Sequence, residues 1–113
     1  MPGTQGNYNL YQAFAAAFID YSSASEVVTL PVGTLAVSLS ATTRCWVVIG
    51  DPGTTPVAAA PSAEKVFKRR VFAINAGDTI DLPVPLNTDA DLVKIAVIRA
   101  TADGVLDIIA RKE

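Results

Sequence analysis

The sequence predicts an all-β protein, an antiparallel β-sandwich or small barrel of about seven strands. Three observations carry that prediction. Apolar and polar residues alternate in short runs from Val27 to Ala110, turn-forming residues close each run, and the chain is short. Thr34-Leu35-Ala36-Val37-Ser38-Leu39 is the clearest run. Leu35, Val37 and Leu39 share one face and Thr34, Ala36 and Ser38 the other, the period of two that belongs to a strand. Seven such runs with turns between them are the pattern of a sandwich or barrel.

The expected strands are 26–30, 34–39, 44–49, 66–74, 79–83, 92–100 and 105–111. Val32-Gly33 joins the first two, with Pro31 at a strand end, where its missing N–H does little harm. Gly50-Asp51-Pro52-Gly53-Thr54-Thr55-Pro56 opens a long loop that runs to Pro61, and Asn75-Ala76-Gly77-Asp78 is a tight turn. Pro83, Pro85 and Asn87 to Asp91 make a second polar loop. Thr101-Ala102-Asp103-Gly104 is expected to close a final hairpin, Asp-Gly being a strong turn pair.

Ahead of the strands, residues 1–25 read as an N-terminal arm, and residues 26–113 as the sandwich domain. The first nine residues hold two Gly and one Pro and little that packs. Leu10, Phe14, Ala17 and Phe18 then fall at helical spacing and alanines favour that state, so a short helix is expected over 10–21. A helix that short needs a surface to lie on.

At 113 residues the chain is long enough to bury one core without metal or disulfide support. Half of its residues are apolar, and some strands are apolar on both faces. Trp46 and Val48 oppose Cys45, Val47 and Ile49, while Val105 and Ile109 oppose Leu106, Ile108 and Ala110. A one-sided antiparallel sheet does not look like that, so either the N-terminal segment or a neighbouring subunit should cover the second faces.

The same composition narrows the chemistry. Histidine is absent, which removes the usual general base and the commonest metal ligand. Cys45 is the single cysteine, has no partner for a disulfide or a zinc site, and reads as a small buried hydrophobe. Asp78 and Asp81 fall on opposite faces of a strand, and Asp89 and Asp91 lack the ligand density of a calcium loop, so both pairs read as solvated acids. No cofactor, metal or catalytic residue is expected, and the chain is not expected to be an enzyme. A net charge of −2 argues against a nucleic-acid partner. No apolar run approaches a membrane span or a secretory signal, so no membrane partner and no export by a cleaved signal are expected. Lys65, Lys68, Arg69 and Arg70 form the one basic cluster. It reads either as contact with an acidic protein surface or as a charged edge strand kept unpaired.

From Arg44 onward the order of features resembles a known group. Trp46-Val47-Val48-Ile49-Gly50 is followed by an Ala/Pro/Thr-rich loop from Asp51 to Pro61 and by Asn75-Ala76-Gly77-Asp78. Ile95-Ala96-Val97-Ile98-Arg99-Ala100 and Gly104-Val105-Leu106-Asp107-Ile108 come next. This order is similar to that of the small β-sandwich virion proteins of tailed bacteriophages. The similarity spans roughly two thirds of the chain and leaves the first 25 residues unmatched.

The resemblance implies a structural virion protein made in the host cytoplasm, a capsid decoration (cement) protein on the outer shell that bridges major capsid subunits. It implies the major capsid protein as partner and a homo-oligomer, a trimer fitting sites of local threefold symmetry. A tail or head–tail connector or fibre-base component is the alternative within that class. A free-standing carbohydrate-binding sandwich is the alternative outside it, weakened by the single Trp. The residues expected to make contacts are Tyr8, Tyr11, Phe14, Phe18 and Tyr21 on the arm, together with Trp46, Lys68, Arg70 and Ile109. Aromatic side chains supply large buried areas at interfaces.

Overall fold

The computed structural model describes residues 12–59 and 71–112. Eight strands follow in order: β1 (Gln12–Tyr21), β2 (Glu26–Thr29), β3 (Ala36–Ala41), β4 (Cys45–Ile49), β5 (Val71–Ile74), β6 (Thr79–Pro83), β7 (Lys94–Arg99) and β8 (Gly104–Lys112). They form two antiparallel four-stranded sheets, β1-β8-β3-β6 and β2-β7-β4-β5, packed as a β-sandwich.

Two expectations are corrected here. The strands number eight rather than seven, and no helix occurs among the described residues. The added strand is the segment expected to be helical. Gln12–Tyr21 pairs with β8 along its length, as the edge of the first sheet. Ala15, Ala17, Ile19 and Tyr21 stand opposite Ala110, Ile108, Leu106 and Gly104 on the core side, and Ala16, Phe18 and Asp20 point outward. Alanines at 15, 16 and 17 fit either period, so the sequence carries no clean alternation there. A nine-residue ladder partner outweighs the helix propensity of alanine, which is worth only a few tenths of a kcal/mol per residue, about 0.7 at most against ordinary residues. An irregularity between Ala13 and Ala15, with Phe14 as the extra residue, shifts the register at the start of the strand.

The final turn is also corrected. β7 lies in the second sheet and β8 in the first, so residues 100–103 carry the chain between sheets and close no hairpin. Six of the seven connections cross in this way, β4 to β5 being the exception. Of the expected strand 66–74, Val71–Ile74 is a strand and 66–70 lie outside the described residues.

The core lies between the sheets. Val37, Leu39, Ala41, Leu106 and Ile108 of the first sheet meet Cys45, Val47, Ile49, Ile74, Ile95 and Val97 of the second, all buried. Each large aliphatic residue buried there contributes roughly 1.5–3 kcal/mol. The alternation of β3 follows from this, since only one parity of the strand reaches the core.

The second face of the second sheet has its own cover. Across it Val27, Ala96, Val48 and Val71 stand in one row, and Ile98, Trp46 and Ala73 in the next. The chain's own loop after β4 lies over part of this surface, burying Ala58 against Val48 and Ala96 with Val71 and Ile98 beside them. Four contacts pin the loop: the Ala58 N–H donates to Ser25 Oγ (2.9 Å), Lys94 Nζ to Thr55 Oγ1 (3.1 Å), the Gly50 N–H to the Lys94 carbonyl (2.9 Å) and the Gly53 N–H to the Leu92 carbonyl (3.0 Å). The apolar second face of β4 therefore reflects an intramolecular cover, which the sequence reading assigned to the N-terminal segment or a neighbour.

Candidate interaction surfaces

The outer face of the first sheet is unlike that of the second. It is built from Ala16, Phe18 and Asp20 of β1, Val105, Asp107, Ile109 and Arg111 of β8, Ser38 and Ser40 of β3, and Thr79 and Asp81 of β6. Its β3–β6 half is polar and internally bonded. Ser38 Oγ donates to the Asp81 carboxylate and accepts from Arg111 Nε (2.9 Å), and Ser40 Oγ and Thr79 Oγ1 are 2.7 Å apart. Its β1–β8 half mixes charged and apolar groups: Ile109 is half-buried between Ala16 and Ser38, and Phe18, opposite Asp107, is 76% exposed. A phenylalanine this exposed on a regular strand gives little to its own core.

The expected contact residues thus separate. Phe18 and Ile109 share one face. Phe14 is half-buried beneath the Lys112 ammonium, 4.9 Å from its ring centre, a cation–π contact. Trp46 is half-buried on the other sheet with the Arg44 guanidinium 5.0 Å from its ring centre, and Arg44 is held there by Asn75 Oδ1 (2.8 Å). Tyr21 is 2% exposed and belongs to the core, so it offers no contact area while the sandwich is closed. Tyr8, Tyr11, Lys68 and Arg70 lie outside the described residues.

Besides a shallow hollow of about 530 Å³ at Asp20, Glu26 and Asp103, two apolar hollows open at the margins where the sheets part. One, of about 380 Å³, lies between β5 and β6 and is lined by Ile49, Phe72, Leu82, Pro83, Val84 and Pro85. The other, of about 90 Å³, lies between β1 and β2, with Ala15, Ala17, Val28 and Leu30 in its wall. Neither holds a charged side chain. Among the described residues no three carboxylate or thiol groups converge, and no helix is long and apolar enough to cross a membrane.

Asn87 was read only as part of a polar loop, yet it is buried and organises one end of the sandwich. Its Nδ2 donates to the Pro31 carbonyl (2.6 Å) and its Oδ1 accepts the Val93 N–H (3.1 Å). The apolar pair Leu92-Val93 that follows, with Val93 fully buried, was the available signal that this loop dips inward.

Cys45 is fully buried. Burial pushes its thiol above the ordinary range, and a hydrogen bond with Tyr21 offsets this only in part. The unfolded thiol begins to ionise near pH ~8.5, while the folded one keeps its proton. Stability should therefore fall as pH rises through and above that value. Urea midpoints at neutral and alkaline pH should show a smaller fall for Cys45→Ala than for the native chain. Equal falls would mean the thiol stays unperturbed by burial.

No family model, no curated protein and no solved structure matches the chain.

Proposed function

We propose that the chain is a structural virion protein of the capsid decoration type, which works by burying surface against shell subunits. The observation that carries this reading is the exposed Phe18 beside Ile109 on the outer face of the first sheet. The apolar outer surface of the second sheet is partly covered by the chain's own loop while Phe18 on the first sheet stands open, as suits a domain whose task is to dock. The ordered motifs that resemble the phage group lend further support, because Trp46 to Ile49, Ile95 to Arg99 and Gly104 to Ile108 fall within β4, β7 and β8. The partner in this reading is the major capsid protein, with association between copies of the chain at the same sites. The gain per contact is modest area burial, multiplied by many copies on one particle.

Quantitative mass spectrometry of purified particles from the source tests the proposal. A decoration protein should be present at on the order of hundreds of copies, set by the symmetry of the shell. About ten copies would move it to a connector or tail station. Absence from particles would remove the virion reading altogether.

A further inference from the structure

A sandwich of two open sheets has four edge strands, and two of these edges are blunted along the described residues. β2 is four residues long, and β6 has five, including the outward Asp81 and the terminal Pro83. Short length, charge and proline are the usual means of stopping an edge from pairing with another chain. β1 has none of them over most of its length. It is ten residues long, lacks proline, carries no charge before Asp20, and is regular from Ala15 to Tyr21. Among the described residues, no strand pairs with its free side. Its residues 15–20 alternate between half-buried and exposed, whereas β3 in the same sheet is almost wholly buried.

We infer that β1 pairs with β1 of a second copy, antiparallel about a twofold axis at Ala17, joining two four-stranded sheets into one of eight. Two observations fix the occupant and the register. First, the side chains complement one another in size. With Ala17 opposite itself, Phe18 stands against Ala16 of the other copy and Ile19 against Ala15, a large residue meeting a small one at each step. Second, the small apolar hollow between β1 and β2 opens at Ala15, Ala16 and Ala17, around the proposed axis, where a second copy would cover it. An isologous edge contact of this kind closes at two copies and leaves no further β1 edge to extend. The threefold state implied by the family resemblance is not expected from it. The pairing does not rest on the virion reading, since a chain absent from particles would keep the same edge.

Sedimentation equilibrium of the full chain should give a dimer. Phe18→Lys sets two lysines diagonally across the axis on an exposed surface, and should raise the dissociation constant about tenfold or more while leaving the circular dichroism spectrum unchanged. Ala17→Cys should cross-link to itself under mild oxidation, because opposed Cα atoms about 4.5–5.5 Å apart fall within disulfide reach. A monomeric native chain, as when residues 1–11 cover the edge instead, would overturn the inference. So would a trimer, or a dimer indifferent to Phe18→Lys that fails to cross-link through Ala17→Cys.

Discussion

Tyr21→Ala is expected to cost about 3–5 kcal/mol, a large part of the total stability of a domain of this size. Tyr21 is among the largest fully buried side chains, and its hydroxyl ties the end of β1 to the β3–β4 connection. It donates to the Thr43 carbonyl (2.6 Å) and accepts the Thr43 N–H (3.1 Å), with Thr43 Oγ1 2.8 Å away. Truncation removes the ring and leaves two backbone groups of Thr43 without this partner. Tyr21→Phe isolates the second effect and should cost about 1–3 kcal/mol.

Gly104 belongs to the same arrangement. A methyl group added there would collide with the Tyr21 hydroxyl and with the Oγ1 atoms of Thr42 and Thr43. Gly104→Ala should therefore destabilise the native chain, and should cost less in a Tyr21→Phe background, where one obstructing atom is gone. A urea-denaturation double-mutant cycle measures that coupling directly. Strict additivity would show that Gly104 is needed for another reason.

The second large effect is expected at Asn87. Asn87→Ala deletes a buried amide that satisfies the Pro31 carbonyl and the Val93 N–H together. The Asn87 backbone carbonyl also accepts the Gly33 N–H (3.2 Å), and the Leu30 N–H donates to Val93 (2.9 Å), so one residue joins the β2–β3 and β6–β7 connections. Two lost bonds, each leaving a group without its partner, sum to about 2–4 kcal/mol. Denaturation midpoints report the total, and hydrogen exchange locates it. The Val93 amide should lose protection more than amides of β3 and β8. Uniform loss of protection would mean that Asn87 acts through global stability and not as a local tie.

The strands easiest to read in the sequence were those with one buried face and one polar face. β3 announces itself because Val37 and Leu39 reach the core and Ser38 and Ser40 do not. β1 was illegible for a definite reason: three successive alanines satisfy helix and strand alike, and the choice was made by β8, some ninety residues away. Asp103-Gly104 misled because the pair is valued for left-handed turns, while here Gly104 keeps an ordinary φ and supplies room for the Tyr21 hydroxyl. The sequence also marked Trp46 and Val48 correctly as apolar on a second face, but nothing local shows that Ala58 folds back over that face. Of the contact residues, Phe18 and Ile109 were placed on one surface by a strand pairing that the helical reading did not contain.

The pairing of β1 with β8 also constrains how the molecule comes into being. The first described strand to leave the ribosome has its ladder partner in the last, and nearly every connection between them changes sheets. Few local units can form early, so folding waits on distant contacts and belongs to the slow, milliseconds-to-seconds regime of all-β topologies. Throughout synthesis β1 lacks β8, with both its edges open and little charge to discourage a stray partner. The stretch that is inferred to recognise a second copy in the finished protein is thus, before the chain is complete, the place where two nascent copies would most readily tangle.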